Sequence, residues 1–368
     1  MISTKWLELY QYLQSQLPLL PSQQDVEPKL NDRLMFLSAQ FAQAGRKQDK
    51  NQLDWLEHES FTLVMSELFE PLSITEAQLQ FLFETLMAAQ MCQLAMIVTN
   101  LYKSLLPEHE FKSKCGLVYQ QLGDYEMAKA MLQESIALNE NKPMVHCHLG
   151  FNHLYQGNSD LAAEQFQRSI EIDENFVGGY QNLAGLHYQD SKFELAAKYA
   201  EQAFACDQSL VSTYITAVSS YLALGQNDKA DQWITTALNN DISSIELVRL
   251  AGITAHQNGR LEEALEALDH YLLLKPESYD VVSIRARVKA DLRLYVELEQ
   301  DIRQLLIFEP HDEWCLEHLF LCYFHTEKWA DAQLVMVELN KLAAHYKITY
   351  RDQLNTINKA LSLDVVEI

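Results

Sequence analysis

The chain has 368 residues, 48% of them hydrophobic and 10% aromatic. It can therefore bury a sizeable core, and wholesale disorder is excluded. With only 11 glycines and 8 prolines it lacks the tight turns of a β-sandwich or barrel. Twenty-eight Lys and Arg against 51 Asp and Glu leave a net charge of −23. That charge opposes sequence-independent binding to nucleic acid or to an anionic membrane.

The first residues, MISTKWLELYQYLQSQLP, have no apolar run, because Glu8, Gln11, Gln14 and Gln16 interrupt them. They do not read as a secretory signal, and the expectation is a cytoplasmic protein. Helices are predicted at 3–16, 29–44 and 51–70, with polar turns after Pro18, Pro21 and Gly45. Trp6, Tyr10 and Leu13 share one stripe of the first helix. That stripe can dock on the following helices or serve a homodimer contact. Residues 1–72 thus read as an N-terminal helical cap or accessory module. Residues 73–108 read as a degenerate helix pair opened by the capping-box pattern Ser73-Ile74-Thr75-Glu76. The most apolar stretch, Leu86 to Leu101, is too short and, with Gln90, Gln93 and Asn100, too polar to span a bilayer.

From residue 109 a period of 34 governs the chain. Ala128, Ala162, Ala196, Ala230, Ala264 and Ala332 recur on it, with Leu298 at the one exception. Gly123, Gly157, Gly225 and Gly259 recur as well, with Ser191 and Arg293 at two of the same stations. Small residues fall at Gly116, Gly150, Ala184, Gly252 and Ala286; apolar ones at Leu132, Phe166, Ala200, Ile234, Leu268, Ile302 and Met336. Small stations let two helices approach, and a larger side chain there would part them. The glycines suit a helix C-terminus that needs positive φ. Pro276 and Pro310 end second helices.

This pattern resembles the tetratricopeptide repeat family, on Leu149-Gly150, Gly157, Ala162 and Phe166 in one unit and Gly252, Gly259, Ala264 and Pro276 in another. The resemblance covers seven units, 109–346, followed by a C-terminal capping helix and tail at 347–368. It implies an all-α solenoid of helix pairs wound as a right-handed superhelix. The unit at 279–312 departs most, with Arg293 and Leu298 at the glycine and alanine stations.

No phosphate-binding, zinc-protease or serine-hydrolase motif occurs, and no catalytic, metal or cofactor-binding residue is assigned. His146, His148 and His153 share a helix, and His146 and His153 occupy stations filled mostly by rings elsewhere, so these histidines read as packing residues, as do His318 and His325. The six cysteines form no C-x-x-C pair and read as free thiols. Cys315 and Cys322, seven apart on one helix, cannot bridge.

In the family the first helices line the inner face, and their stripe here gives candidate peptide-binding residues. These are Met144, Cys147, Phe151 and Tyr155, then Gln181 and Tyr188, then Ile215, Arg249, His256 and Arg287. The early part is apolar and the later part polar, which suits a partner with an apolar anchor and a hydrogen-bonding end. The lysine and asparagine of the family's carboxylate clamp are absent from the corresponding stations. The resulting expectation is a non-enzymatic scaffold, adaptor or chaperone that holds a polypeptide segment in its groove. A dedicated secretion or assembly chaperone and a peptide-sensing regulator are the alternatives.

Overall fold

The computed structural model describes residues 3–43, 50–70, 72–343 and 345–364, without the side chains of 40–43, 50–53 and 362–364. Gly45 and the last four residues lie outside the described residues. Among those described there are α-helices, one short 3-10 turn and no strand. The chain divides into two compact units, Met1–Asn182 and Leu183–Ile368.

Unit 1 opens with α1 (Thr4–Gln16), α2 (Gln23–Gln43) and α3 (Lys50–Phe69). Helix pairs follow: α4 (Glu76–Ala88) with α5 (Cys92–Leu101), α6 (Glu108–Gln121) with α7 (Tyr125–Leu138), and α8 (Pro143–Tyr155) with α9 (Ser159–Ile172). The unit boundary falls inside α10 (Val177–Gln189). Unit 2 continues with α11 (Phe193–Cys206), then α12 (Val211–Ala223) with α13 (Asn227–Asn239), and α14 (Ile245–Gln257) with α15 (Leu261–Leu274). It ends with α16 (Tyr279–Asp291) and α17 (Tyr295–Phe308), α18 (Glu313–His325) and α19 (Trp329–Leu342), then α20 (Tyr346–Thr349) and α21 (Arg351–Asp364). From α8 to α18 the first helices begin at 143, 177, 211, 245, 279 and 313, so the sequence period is a structural step.

Each first helix stops in the same way. The residue at the glycine station turns to positive φ, at Gly123, Gly157, Ser191, Gly225, Gly259, Arg293 and Glu327. Its N–H and that of the next residue then satisfy the last carbonyls: Gly157 N–H donates to Leu154 O at 2.9 Å and Asn158 N–H to His153 O at 2.9 Å. Arg293 and Leu294 make the same pair of bonds, to Ala290 and Lys289, so the divergent unit keeps the turn without glycine. Gln90 closes α4 likewise, at φ 59°. Side chains other than glycine are strained there. Ser191, Arg293 and Glu327 are exposed, so changing all three to glycine should raise stability by about 0.5 kcal/mol each. A thermal melt of the triple variant checks this, and a lower Tm would contradict it.

Pair packing follows side-chain size across stations 16 residues apart. A Cβ on Gly116 would meet Leu132 at 2.8 Å, one on Gly252 would meet Leu268 at 2.9 Å, and one on Gly150 would run into the Phe166 ring. Where both stations are small, at Ala184 and Ala200, Tyr199 and Trp233 pack around the alanines. The buried positions of α9 are Ala162, Phe166, Ser169 and Ile170, one helical stripe. Leu298 is fully buried at its alanine station.

The structure corrects several local expectations. α2 starts at Gln23 and runs through Pro28, which lies inside the helix and, lacking an N–H, cannot donate to the carbonyl four residues back. The capping box is formed by Thr75 and Gln78, not by Ser73 and Glu76: Gln78 N–H donates to Thr75 Oγ1 at 3.3 Å and Thr75 N–H to Gln78 Oε1 at 3.0 Å. The C-terminal helix is broken in two at Tyr350, whose hydroxyl donates to Glu317 at 2.6 Å, while the Tyr346 hydroxyl donates to Glu313 at 2.8 Å. Those bonds and burial push both phenols well above their ordinary range. Trp6, Tyr10 and Leu13 are buried within unit 1, where Trp6 Nε1 donates to Glu57 at 3.1 Å and Tyr10 to Pro21 O at 2.8 Å. That stripe is consumed inside the unit and offers no dimer contact.

Candidate functional site

In unit 1 the stripe on α8 divides by burial. Met144, Phe151 and Tyr155 are 54%, 37% and 59% exposed, large apolar groups left facing solvent. The two rings are held in place nonetheless: Tyr155 stacks on Tyr125 with centroids 5.3 Å apart, and Phe151 meets Phe166 edge-on at 5.4 Å. Cys147, predicted beside them, is 3% exposed and donates to Ser169 Oγ at 3.4 Å. It packs against the second helix and does not reach the face. Gln181 is half-buried.

In unit 2 the later stripe is largely engaged by its own chain. Tyr188 is 38% exposed and leans edge-on against Phe193 at 5.5 Å. Ile215 is half-buried in the core around Tyr214 and Val218. Arg249 Nε donates to Glu246 at 2.9 Å, and its Nη1 lies 3.7 Å from Asp280 on the next first helix. The Glu246 bond holds its guanidinium firmly in the charged form. His256 Nε2 lies 3.1 Å from Asp291, and Arg287 sits over the Trp314 ring at 4.9 Å. Each of these polar residues bridges from its own helix to the next, which ties neighbouring pairs together. The polar end predicted to meet a partner is thus occupied from within.

The histidines are packing residues. His146 Nδ1 lies 2.9 Å from Gln165, His318 stacks on Trp314 at 4.0 Å, and His325 stacks on Tyr295 at 4.1 Å. Burial pushes His148 down to about 4, so its ring is neutral near pH 7. Among the described residues no cluster of three His, Cys, Asp or Glu could hold a metal ion. None of the six cysteines is in a disulfide, and burial pushes Cys115 up to about 11 and Cys315 and Cys322 up to about 12, far from a reactive thiolate. No described helix is long and apolar enough to cross a membrane.

Two cavities in unit 1 escaped the sequence reading. One, of about 710 Å³, lies between α1, α3 and the α5 N-terminus, lined by Trp6, Trp55 and Glu57 among others. It is self-satisfied: Lys5 Nζ sits 4.6 Å over Trp6, and Glu57 accepts from Ser3 at 2.6 Å. The other, of about 470 Å³, opens on the first-helix face of α4, α6 and α8. Phe83, Leu117, Met144 and Val145 form its apolar wall, and Lys114 its buried cation. The signal was available, since the stations equivalent to Lys114 hold His148, Asn182, Thr216, Leu250, Ile284 and His318. A lysine there is out of pattern.

The tetratricopeptide repeat family model matches residues 114–142, the second half of α6, α7 and the loop after it. No curated protein matches the chain. Among solved structures, the C-terminal part of a tetratricopeptide repeat-containing protein from Cytophaga hutchinsonii is similar with TM-score 0.50 and 16% identity, over 66% of this chain and 99% of that one. A tetratricopeptide repeat protein from Parabacteroides merdae gives TM-score 0.47 and 14% identity over 68% and 98%. YrrB, described as a tetratricopeptide repeat protein with an unusual peptide-binding site, gives 0.46 and 17% over 52% and 99%. One repeat of the chain thus matches the tetratricopeptide family model, and the chain has an all-α fold of tetratricopeptide-type helix pairs at a 34-residue step.

Proposed function

We propose that the protein is a non-enzymatic interaction scaffold that captures a polypeptide segment on the first-helix face of unit 1. The observation that carries this reading is the exposed row Met144, Phe151 and Tyr155 on α8, a helix otherwise buried at Val145, His146, Cys147, Leu149 and Gly150. Large apolar side chains fixed by stacking, yet left facing water, gain about 1.5–3 kcal/mol each when a partner covers them fully. The ordering cost of association offsets much of this, which suits a moderate, reversible complex. The fold supplies a rigid platform, since each helix pair is locked by its capped turn and its size-matched stations.

Panning a random peptide phage library against the immobilised full chain tests the reading. Peptides should be enriched, and Phe151→Ser with Tyr155→Ser should weaken their binding at least tenfold while far-UV circular dichroism stays unchanged. Retention of full affinity by that variant would place the binding surface elsewhere, and absence of any enriched peptide would end the proposal.

A further inference from the structure

We infer that the cavity between α4, α6 and α8 is a side-chain pocket for an acidic–apolar pair in the captured segment. A Glu or Asp side chain of the partner reaches Lys114 Nζ, and a neighbouring bulky apolar side chain lies against Phe83, Leu117 and Met144. This rests on the reading of the first-helix face as a polypeptide-binding surface and names the chemistry it selects.

Lys114 is 7% exposed, yet the partners that hold its ammonium are neutral: the Gln80 side-chain oxygen and the Phe83 ring, 4.3 Å away. Burial pulls this lysine below its ordinary range in spite of Glu110, Glu84 and Glu76 nearby. Those carboxylates are drawn elsewhere. Glu110 Oε1 lies 3.6 Å from Lys142 and 3.8 Å from His109, and Glu84 accepts from Gln80. A buried ammonium with three donors, whose direct contacts are an amide oxygen and a ring while the nearby carboxylates engage other partners, is under-compensated. An incoming carboxylate supplies what it lacks through a charge-assisted hydrogen bond.

The depth of the cation selects the source of the carboxylate. Lys114 is 7% exposed while Met144 of the same lining is 54% exposed, so an acid carried on a side-chain stem reaches the cation while the partner backbone stays outside. A chain-terminal carboxylate would have to bring its backbone into the cavity. Met144 belongs both to the cavity lining and to the exposed row with Phe151 and Tyr155 on α8, so one extended segment can use the pocket and that row together.

The test uses peptides enriched from a random phage library on the full chain, resynthesised with both termini capped and a fluorescein label. Anisotropy titrations compare each with its amide isostere, Glu to Gln or Asp to Asn. The enriched sequences should place an acidic residue within two positions of a bulky apolar one. The isostere should bind tenfold or more weakly to the wild-type chain. Lys114→Met, close to isosteric and free of the buried charge, should bind peptide and isostere alike, whereas Lys114→Arg should retain discrimination; circular dichroism verifies that both are folded. Enriched peptides without an acidic residue, equal binding of the isostere to wild type, or discrimination that survives Lys114→Met would overturn the pocket and leave the surface reading standing. Loss of affinity on capping the C-terminus would assign the carboxylate to the chain end and overturn it too. With no enriched peptide at all, both readings fall together.

Discussion

Replacing Asp301 by alanine should destabilise unit 2 by about 3–5 kcal/mol, the range for a buried charge network that loses its central partner. Asp301 is 1% exposed. Arg285 grips it with two bonds, Nε to Oδ2 at 2.9 Å and Nη2 to Oδ1 at 2.6 Å, and Lys289 Nζ lies 2.9 Å from Oδ2. Asp269 accepts from Arg285 Nη1 at 2.8 Å, so one half-buried guanidinium joins α15, α16 and α17. Without Asp301, Lys289, itself 8% exposed, loses its carboxylate partner. The converse variant removes the whole set: Arg285→Leu, Lys289→Met and Asp301→Val together should be close to neutral or stabilising, because no desolvated charge is left behind. Urea denaturation of both variants, with hydrogen exchange to localise the loss to α16–α18, decides the matter. An Asp301→Ala chain as stable as wild type would mean that the network contributes nothing.

Gly150→Ala should cost about 2–3 kcal/mol, although alanine is the better helix former by about 1 kcal/mol. The added methyl would occupy the space of the Phe166 ring, which is fully buried between α8 and α9. Phe166→Leu alone should cost about 1 kcal/mol by leaving a small void. Combined, the two changes should be cheaper than their sum by 1 kcal/mol or more, because the smaller leucine yields to the methyl. At Gly116 and Gly252 a Cβ would meet Leu132 and Leu268 at 2.8 and 2.9 Å, less closely than one on Gly150 would meet the Phe166 ring, so leucine relieves the clash in part. A thermodynamic cycle of the four chains measures that coupling, and strict additivity would refute the size-matching account.

The two cases show what a period can and cannot convey. The Gly150–Phe166 pairing was legible because both stations recur at fixed spacing with opposed sizes. The Arg285–Asp301 pair stands at stations that hold Leu149 and Gln165, Leu183 and Tyr199, Ala217 and Trp233, and Leu319 and Val335. The sequence marks these two as departures from the pattern. It does not show that they neutralise each other, since ion pairing depends on where two long side chains meet across helices.

Chain order and residue type alone determined the helix pairs, their 34-residue step, the capped turns and the buried stripes, because helical periodicity, steric size and positive-φ tolerance act over neighbouring residues. Which parts of the predicted face remain open was decided only in three dimensions. Arg249 and His256 found acids one pair further on, Arg287 found a tryptophan, Cys147 turned inward, and Lys114 became the cation of a cavity made with α4. Exposure and charge balance depend on side chains brought together from more than 30 residues apart, as Lys114 and Gln80 are, and no local pattern encodes that meeting.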